Sequence, residues 1–160
     1  MNRLCDSCTL CCEGWLVINS NGIESSLNKP CINLSCNVGC KIYTLRPNDP
    51  CGAFKCLWLT DTQHISQEMK PSITNLIFQE KIVHGWHLPV LAVVATNTDS
   101  LDLHWEDIKN IAIKKGTFAV ALAYSNEKIN HTDHKTLKIY GDAIFAETMT
   151  TLFNNRIAIF

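Results

Sequence analysis

The sequence predicts an α+β fold in which two unequal regions form one compact domain. All nine cysteines lie within the first 56 of 160 residues, and residues 1–60 show little periodicity. Residues 61–160 instead carry strand-like and helix-like patterns in turn. We therefore expect an irregular, cysteine-rich N-terminal region over residues 1–60, packed on a small mixed strand and helix region over residues 61–160.

Regular secondary structure is expected to be sparse in the N-terminal region. The exception is residues 14–19, where the apolar run at 15–18 predicts a short strand. Residues 19–30 contain the Asn, Ser, Gly and Pro that are typical of a loop. Order in this region must therefore come from something other than strands and helices.

The second region is predicted to begin with two strands and a helix. The strands cover residues 73–81 and 90–96, and the helix covers residues 100–115. Acidic residues near the start of the helix, lysines near its end and the following Gly116 are typical helix ends. The apolar face of this helix consists of Leu101, Trp105, Ile108 and Ala112.

Three further elements and one loop complete the predicted fold. A strand over residues 117–124 has large apolar residues on one side and alanines on the other. Polar residues 125–134 predict a turn or long hairpin loop, and residues 136–140 a returning strand. Residues 142–153 predict a helix or a further strand pair, with the helix favoured. We also expect that Trp86 and the strand over 88–94 could form an edge that pairs with another chain.

Charge and hydropathy exclude several classes of partner and location. The net charge is −1 and no basic block stands out, so nucleic-acid binding is not expected. No run reaches the roughly 18 apolar residues of a membrane span, so no membrane association is expected. Residues 1–15 also lack the apolar stretch of a signal peptide, which predicts a cytoplasmic protein with reduced thiols.

Reduced, clustered cysteines favour metal binding or catalysis over disulfides. The count of nine is odd, so the cysteines cannot all pair within one chain. A composition that is 46% hydrophobic can form a core of normal size, so disulfides are not needed for folding. Disulfides and inert thiols remain the alternative reading.

The cysteine spacing predicts a soft metal ion bound by thiolates. Gaps of two or three residues let a tight turn direct two sulfurs at one ion, about 2.3 Å away. Adjacent Cys11 and Cys12 point apart more easily than together, so the pair would serve two sites, or one site and a buried thiol. The candidate ligands are Cys5, Cys8, Cys11, Cys12, Cys31, Cys36, Cys40, Cys51 and Cys56.

Nine thiols are more than one tetrahedral site can use, so there is room for two sites. Zinc is the expected metal, and iron or an iron–sulfur cluster, also held by four thiolates, is the alternative. One cysteine is expected not to be a ligand, and Cys12 or Cys36 is the candidate for that position.

The histidines, tryptophans and acids of the chain can be explained without a direct role as metal ligands. The pairs His84 and His87, and His131 and His134, have a spacing that suits a metal pair, but they are interpreted as solvated loop histidines. The four tryptophans are expected in the core or around the cysteines. Two acids that follow the last cysteine, Asp61 and Glu68, could hydrogen-bond to metal ligands, although surface carboxylates explain them as well. The chain contains no nucleotide-binding glycine-rich motif and no His-Glu-x-x-His motif, and a catalytic Cys–His pair has only weak support.

Residues 5–59 carry a series of motifs beyond the cysteine spacing. They are Cys5-x-x-Cys8-Thr-Leu-Cys11-Cys12, Cys40-Lys41-Ile42-Tyr43, Arg46-Pro47, and Cys51-Gly52-Ala53-Phe54-Lys55-Cys56-Leu57-Trp58. These motifs resemble those of the CxxCxxCC cysteine-cluster family, whose members are described as zinc- or iron-chelating, and Cys31 and Cys36 match a subgroup of that family. Two departures are visible: Gly52 stands where the family has Arg, and residues 48–50 lengthen the gap before Cys51.

The resemblance implies a metal-binding protein without a settled reaction. Our leading hypothesis is a zinc protein in which the metal stabilises the irregular N-terminal region. Two alternatives stay open: an iron–sulfur redox protein, and a metal-dependent protein-modifying enzyme, since distant relatives are associated with flagellin lysine methylation. Whether the chain is an enzyme is left open, and no protein partner is predicted.

Overall fold

The computed structural model describes residues 3–5, 8–26, 29–35, 38–124 and 134–160, with the backbone alone at residues 134 and 135. Cys36, His131 and nearly all of the predicted loop at 125–134 lie outside the described residues. Two antiparallel hairpins of very short strands form the regular part of the N-terminal region: β1 (Ile18–Ser20) with β2 (Ile23–Ser25), and β3 (Leu34–Ser35) with β4 (Gly39–Cys40).

The first hairpin corrects two predictions. The predicted strand at 14–19 starts only at Ile18, because Cys11–Trp15 winds into a π-type turn in which Gly14 has a φ of 96°. The predicted loop at 19–30 contains β2, which is reached through Asn21 (φ 50°) and Gly22 (φ 74°). An Asn-Gly pair favours this two-residue hairpin turn because both residues tolerate positive φ.

The second region contains the remaining helices and strands, and the α+β class is confirmed. Short turns at Tyr43–Leu45 and Asn48–Gly52 come before the first helix of this region, and a third turn at Gln67–Met69 lies between its first two helices. The elements are α1 (Leu57–Thr60), α2 (Pro71–Thr74), β5 (Leu76–Ile82), β6 (Pro89–Ala95), α3 (Thr98–Leu103), α4 (Trp105–Lys115), β7 (Ala119–Tyr124), β8 (His134–Tyr140) and α5 (Ala143–Asn154).

Strands β5 to β8 form one sheet in sequence order. Strand β6 pairs antiparallel with β5 and parallel with β7, and β7 pairs antiparallel with β8. The parallel pair needs a long connection, which α3 and α4 supply. Strand β6 therefore has a neighbour on each side, and the predicted edge at 88–94 is wrong. Its continuous apolar run is typical of a strand buried on both faces.

The predicted helix at 100–115 is two helices with a break at His104. Asn97 caps the first one, its side chain accepting a hydrogen bond of 2.8 Å from the Ser100 N–H. Gly116 ends the second in the left-handed region (φ 65°), as its position predicted. The helix predicted at 142–153 is confirmed as α5.

The two faces of β7 belong to different core clusters. Val120 and Leu122 pack with residues of α5, such as Phe145 and Met149. The alanines on the other face belong to the main cluster, which also includes residues of α3, α4 and the N-terminal region. One core therefore spans both regions of the chain. Among the described residues, no helix is both long and apolar enough to cross a membrane.

Candidate metal centre

Seven cysteines line one cavity of about 100 Å³ between the N-terminal region and the start of the second region. Aromatic residues that carry the family resemblance, Tyr43, Phe54 and Trp58, line it as well. Of the predicted ligands, the cavity brings together Cys5, Cys8, Cys11, Cys12, Cys40, Cys51 and Cys56. Cys31 is buried nearby, and no disulfide joins any of the eight described cysteines.

Tight turns direct the first cysteines toward the cavity. The Cys8 N–H donates to the Cys5 carbonyl at 2.8 Å, which closes a turn of the kind that the two-residue spacing predicted. The Cys12 N–H donates to the Thr9 carbonyl at 2.8 Å as the chain enters the π-type turn. These bonds fix the backbone on both sides of Cys11.

The second hairpin carries two more cysteines to Cys12. The Cys31 N–H donates to the Cys12 carbonyl at 2.8 Å, and the Leu34 N–H donates to the Cys31 carbonyl at 2.9 Å. Leu34 pairs directly with Cys40 across the β3–β4 ladder. Cys31 and Cys40 are therefore held close to Cys12 although 19 or more positions separate them from it in the sequence.

The stretch that departs from the family pattern is tied to the first hairpin. Asp49 accepts hydrogen bonds at its carboxylate from the Ser20 hydroxyl at 2.6 Å and the Asn21 side chain at 2.9 Å. A Cβ at position 52 would lie 2.9 Å from the Asn48 side-chain oxygen. A side chain at position 52 would therefore require Asn48 to move. The same loop places Cys51 beside the hairpins.

Burial shapes the chemistry of the thiols near the sheet. Burial raises the pKa of the Cys56 thiol to about 11, and backbone N–H groups of Trp58 and Phe78 hydrogen-bond to the sulfur and partly oppose this rise. Burial also raises the pKa of Cys11 well above its ordinary value, and the neighbouring Cys56 and Cys8 raise it further. Thiolates at these positions need a compensating positive charge.

The thiols beside the hairpins show the same effect. Burial raises the pKa of Cys12 to about 12, with added repulsion from Cys31 and Cys40. Burial also raises the pKa of Cys51, and the same two neighbours raise it further, whereas Arg46 lowers it. A soft divalent cation that accepts several thiolates would remove this repulsion.

The donor set suits zinc or iron, although the sulfurs are not yet gathered at coordination distance. Among the described residues, no three His, Cys, Asp or Glu side chains already stand where they could hold a metal ion. The backbone places the thiols around one cavity, and a change of one χ1 rotamer moves a cysteine sulfur by about 3 Å. Closure around an ion therefore requires side-chain rotation together with small shifts of flanking turns.

The histidines and acids singled out in the sequence lie elsewhere. His84 and His87 are exposed in the β5–β6 connection, in agreement with their interpretation as loop histidines. Asp61 contacts His64 and Lys115, and Glu68 is exposed; neither acid is among the residues that line the cavity. The side chain of His134 lies outside the described atoms.

Sequence reasoning missed a partly buried ion pair that joins the end of α1 to the end of α4. The Lys115 ammonium contacts the Asp61 carboxylate, and the two side chains are only 14% and 11% exposed. His64 Nδ1 lies 2.7 Å from the same carboxylate. Burial alone would raise the pKa of Asp61, but the hydrogen bonds from Lys115 and His64 outweigh it and hold the pKa below its usual value.

Replacing Asp61 by Asn is expected to lower the free energy of unfolding. The loss should exceed the value for a surface ion pair, about 1 kcal/mol, and stay below the value for a fully buried pair, about 3–5 kcal/mol. Because the folded pKa lies below the unfolded value of about 3.9, this stabilisation is present above about pH 4 and is lost as the pH falls through the folded pKa. Denaturant unfolding at pH 7 and pH 3 measures both effects. The control is Asp107→Asn, whose exposed carboxylate lies 3.2 Å from His104; equal losses in the two variants would contradict the prediction.

Comparisons of the chain with protein-family models, with curated proteins and with solved structures gave no match. The resemblance of residues 5–59 to the CxxCxxCC proteins therefore stays a prediction that rests on the quoted motifs.

Proposed function

We propose that this chain is a metal-binding protein that holds zinc through its cysteine thiolates, and that the metal fixes the N-terminal region on the sheet. The observation that carries the proposal is the convergence of seven cysteines from three separate segments on one cavity. Short hairpins and turns supply few backbone hydrogen bonds in this region, so metal–sulfur bonds would supply much of its folding free energy. The CxxCxxCC motifs support the same conclusion.

A structural role fits the cavity better than catalysis on a bound substrate. Small-molecule sites usually enclose about 300–1,000 Å³, whereas the thiol-lined cavity measures about 100 Å³ and is largely apolar in its lining. Cys56 and Trp58, which line it, also belong to the main core cluster. We also propose a cytoplasmic location, because a reducing compartment keeps the ligating thiols available.

Elemental analysis of the protein, purified without oxygen from medium that contains both zinc and iron, tests this function. We expect colourless protein that contains zinc, with all cysteines titrating as free thiols after denaturation in chelator. Protein without any metal, or with most thiols in disulfides, would sink the proposal. Brown protein that bleaches on reduction would assign an iron–sulfur cluster instead. His84→Ala is the control, since His84 is exposed and outside the cavity, and it should retain the metal.

A further inference from the structure

The eight described cysteines divide into two groups of four according to what surrounds them. The inner group lies against the main core: Cys56 is part of that core, and Cys8 and Cys11 pack on it. Cys5 joins this group through the turn that its carbonyl closes with the Cys8 N–H. The outer group contains Cys12, Cys31, Cys40 and Cys51, which, like Cys5, belong among the described residues to neither core cluster. Three of its members, Cys12, Cys40 and Cys51, line the same cavity as the inner group.

Adjacent Cys11 and Cys12 mark the boundary between the groups. Cys11 packs on the core, while the Cys12 carbonyl accepts from the Cys31 N–H and, at 3.4 Å, from the Ser25 hydroxyl. The hairpins therefore hold the Cys12 backbone on their own side. Neighbouring side chains that point apart cannot easily bind the same ion, but they can each complete a different site.

Hydrogen bonds of the two hairpins bring the outer group together. Cys31 leads into the β3–β4 hairpin, and Cys40 lies on its second strand. The hydrogen bond from Cys31 to Cys12 brings this hairpin to the π-type turn. Hydrogen bonds from Ser20 and Asn21 to Asp49 bring in the segment that carries Cys51. The backbones of four cysteines from three segments are thus brought beside the two hairpins, and binding of an ion would still require their side chains to rotate.

The electrostatic effects among the thiols follow the same division. The two thiols with the largest effect on the pKa of Cys11 are Cys56 and Cys8. The two thiols that raise the pKa of Cys12 most are Cys31 and Cys40, and the same two thiols raise the pKa of Cys51 most. Cys12 ranks third among the thiols that raise the pKa of Cys11, ahead of Cys5, and Cys5 ranks last among those that raise the pKa of Cys12.

Resting on the proposed function, we propose that the chain binds two metal ions in two separate sites of four thiolates each. Each site has the complete tetrahedral ligand set of a structural zinc site, so neither needs a ligand from the other. The sites are Cys5, Cys8, Cys11 and Cys56 for the inner ion, and Cys12, Cys31, Cys40 and Cys51 for the outer ion. Cys36 is then the cysteine that neither site requires.

Substitution of the two adjacent cysteines provides a matched test. Zinc per chain is counted by native mass spectrometry of anaerobically purified, zinc-replete protein. Wild-type protein is expected to hold two zinc ions, and Cys11→Ser and Cys12→Ser one each. Adding Cys56→Ser to Cys11→Ser should leave one, because both belong to the inner site. Combining Cys11→Ser with Cys12→Ser should leave none, and Cys36→Ser should keep two.

X-ray absorption of the wild-type protein keeps the test valid if a variant does not fold. We expect each zinc to be surrounded by four sulfurs at about 2.3 Å, with no scattering signal from a second zinc at short distance. A short zinc–zinc distance would show a single cluster with shared thiolates and overturn the proposal. So would one zinc per wild-type chain, or the loss of both ions from a folded single variant. Wild-type protein with no metal at all would instead refute the proposed function itself.

Discussion

Removal of the metal with a chelator is expected to unfold residues 8–56 while strands β6 and β7 stay protected. Structural zinc sites supply about 10 kcal/mol or more of folding free energy, which is comparable with the total of about 5–15 kcal/mol for a whole domain. The strands in this region are only two or three residues long. Their few hydrogen bonds cannot replace that contribution.

Amide hydrogen exchange before and after chelation, in the presence of reductant, measures this effect along the chain. Exchange should rise most around the two hairpins and least in β6 and β7, whose side chains are almost entirely buried. Trp15 offers a second signal, because its ring lies 5.9 Å from that of Tyr124 and should separate from it. Addition of zinc should restore protection and addition of magnesium should not. Unchanged exchange at residues 8–56 would contradict the prediction.

The elements of the second region were predictable because their apolar patterns are local. The strand at 117–124 and the helix at 142–153 were placed to within about two residues of β7 and α5. The position of β6 inside the sheet was not predictable, because strand order depends on pairing between distant segments. Its apolar run on both faces was the signal that argued against an edge. The β1–β2 hairpin was missed although Asn21-Gly22 indicates such a turn.

The sequence indicated that cysteines would make up the candidate site, but not how they are arranged around the cavity. Spacing alone indicated that Cys11 and Cys12 would serve two sites, or one site and a buried thiol. It could not show that Cys56 lies with the earliest cysteines, because that placement follows from packing against the sheet. Nor could it show that Cys31 approaches Cys12, which depends on one backbone hydrogen bond between segments 19 residues apart.

The other large effect is expected on the opposite face of the sheet, where Phe145→Ala should destabilise the fold by about 3–5 kcal/mol. Phe145 is fully buried, and its ring centre lies 5.0 Å from those of Trp86 and Phe118. Truncation removes these contacts and leaves a cavity that the sheet and α5 cannot easily close. Denaturant unfolding followed by tryptophan fluorescence measures the loss.

Ile144→Ala is the matched control, because Ile144 is the preceding residue of the same helix and is 70% exposed. Its change in stability should stay within about 0.5 kcal/mol. Phe145 belongs to the core cluster that, among the described residues, contains no cysteine, so both variants should retain the metal content of the wild-type protein. Similar losses in the two variants would contradict the packing on this face. Loss of metal from folded Phe145→Ala protein would instead show that the two faces of the sheet are coupled.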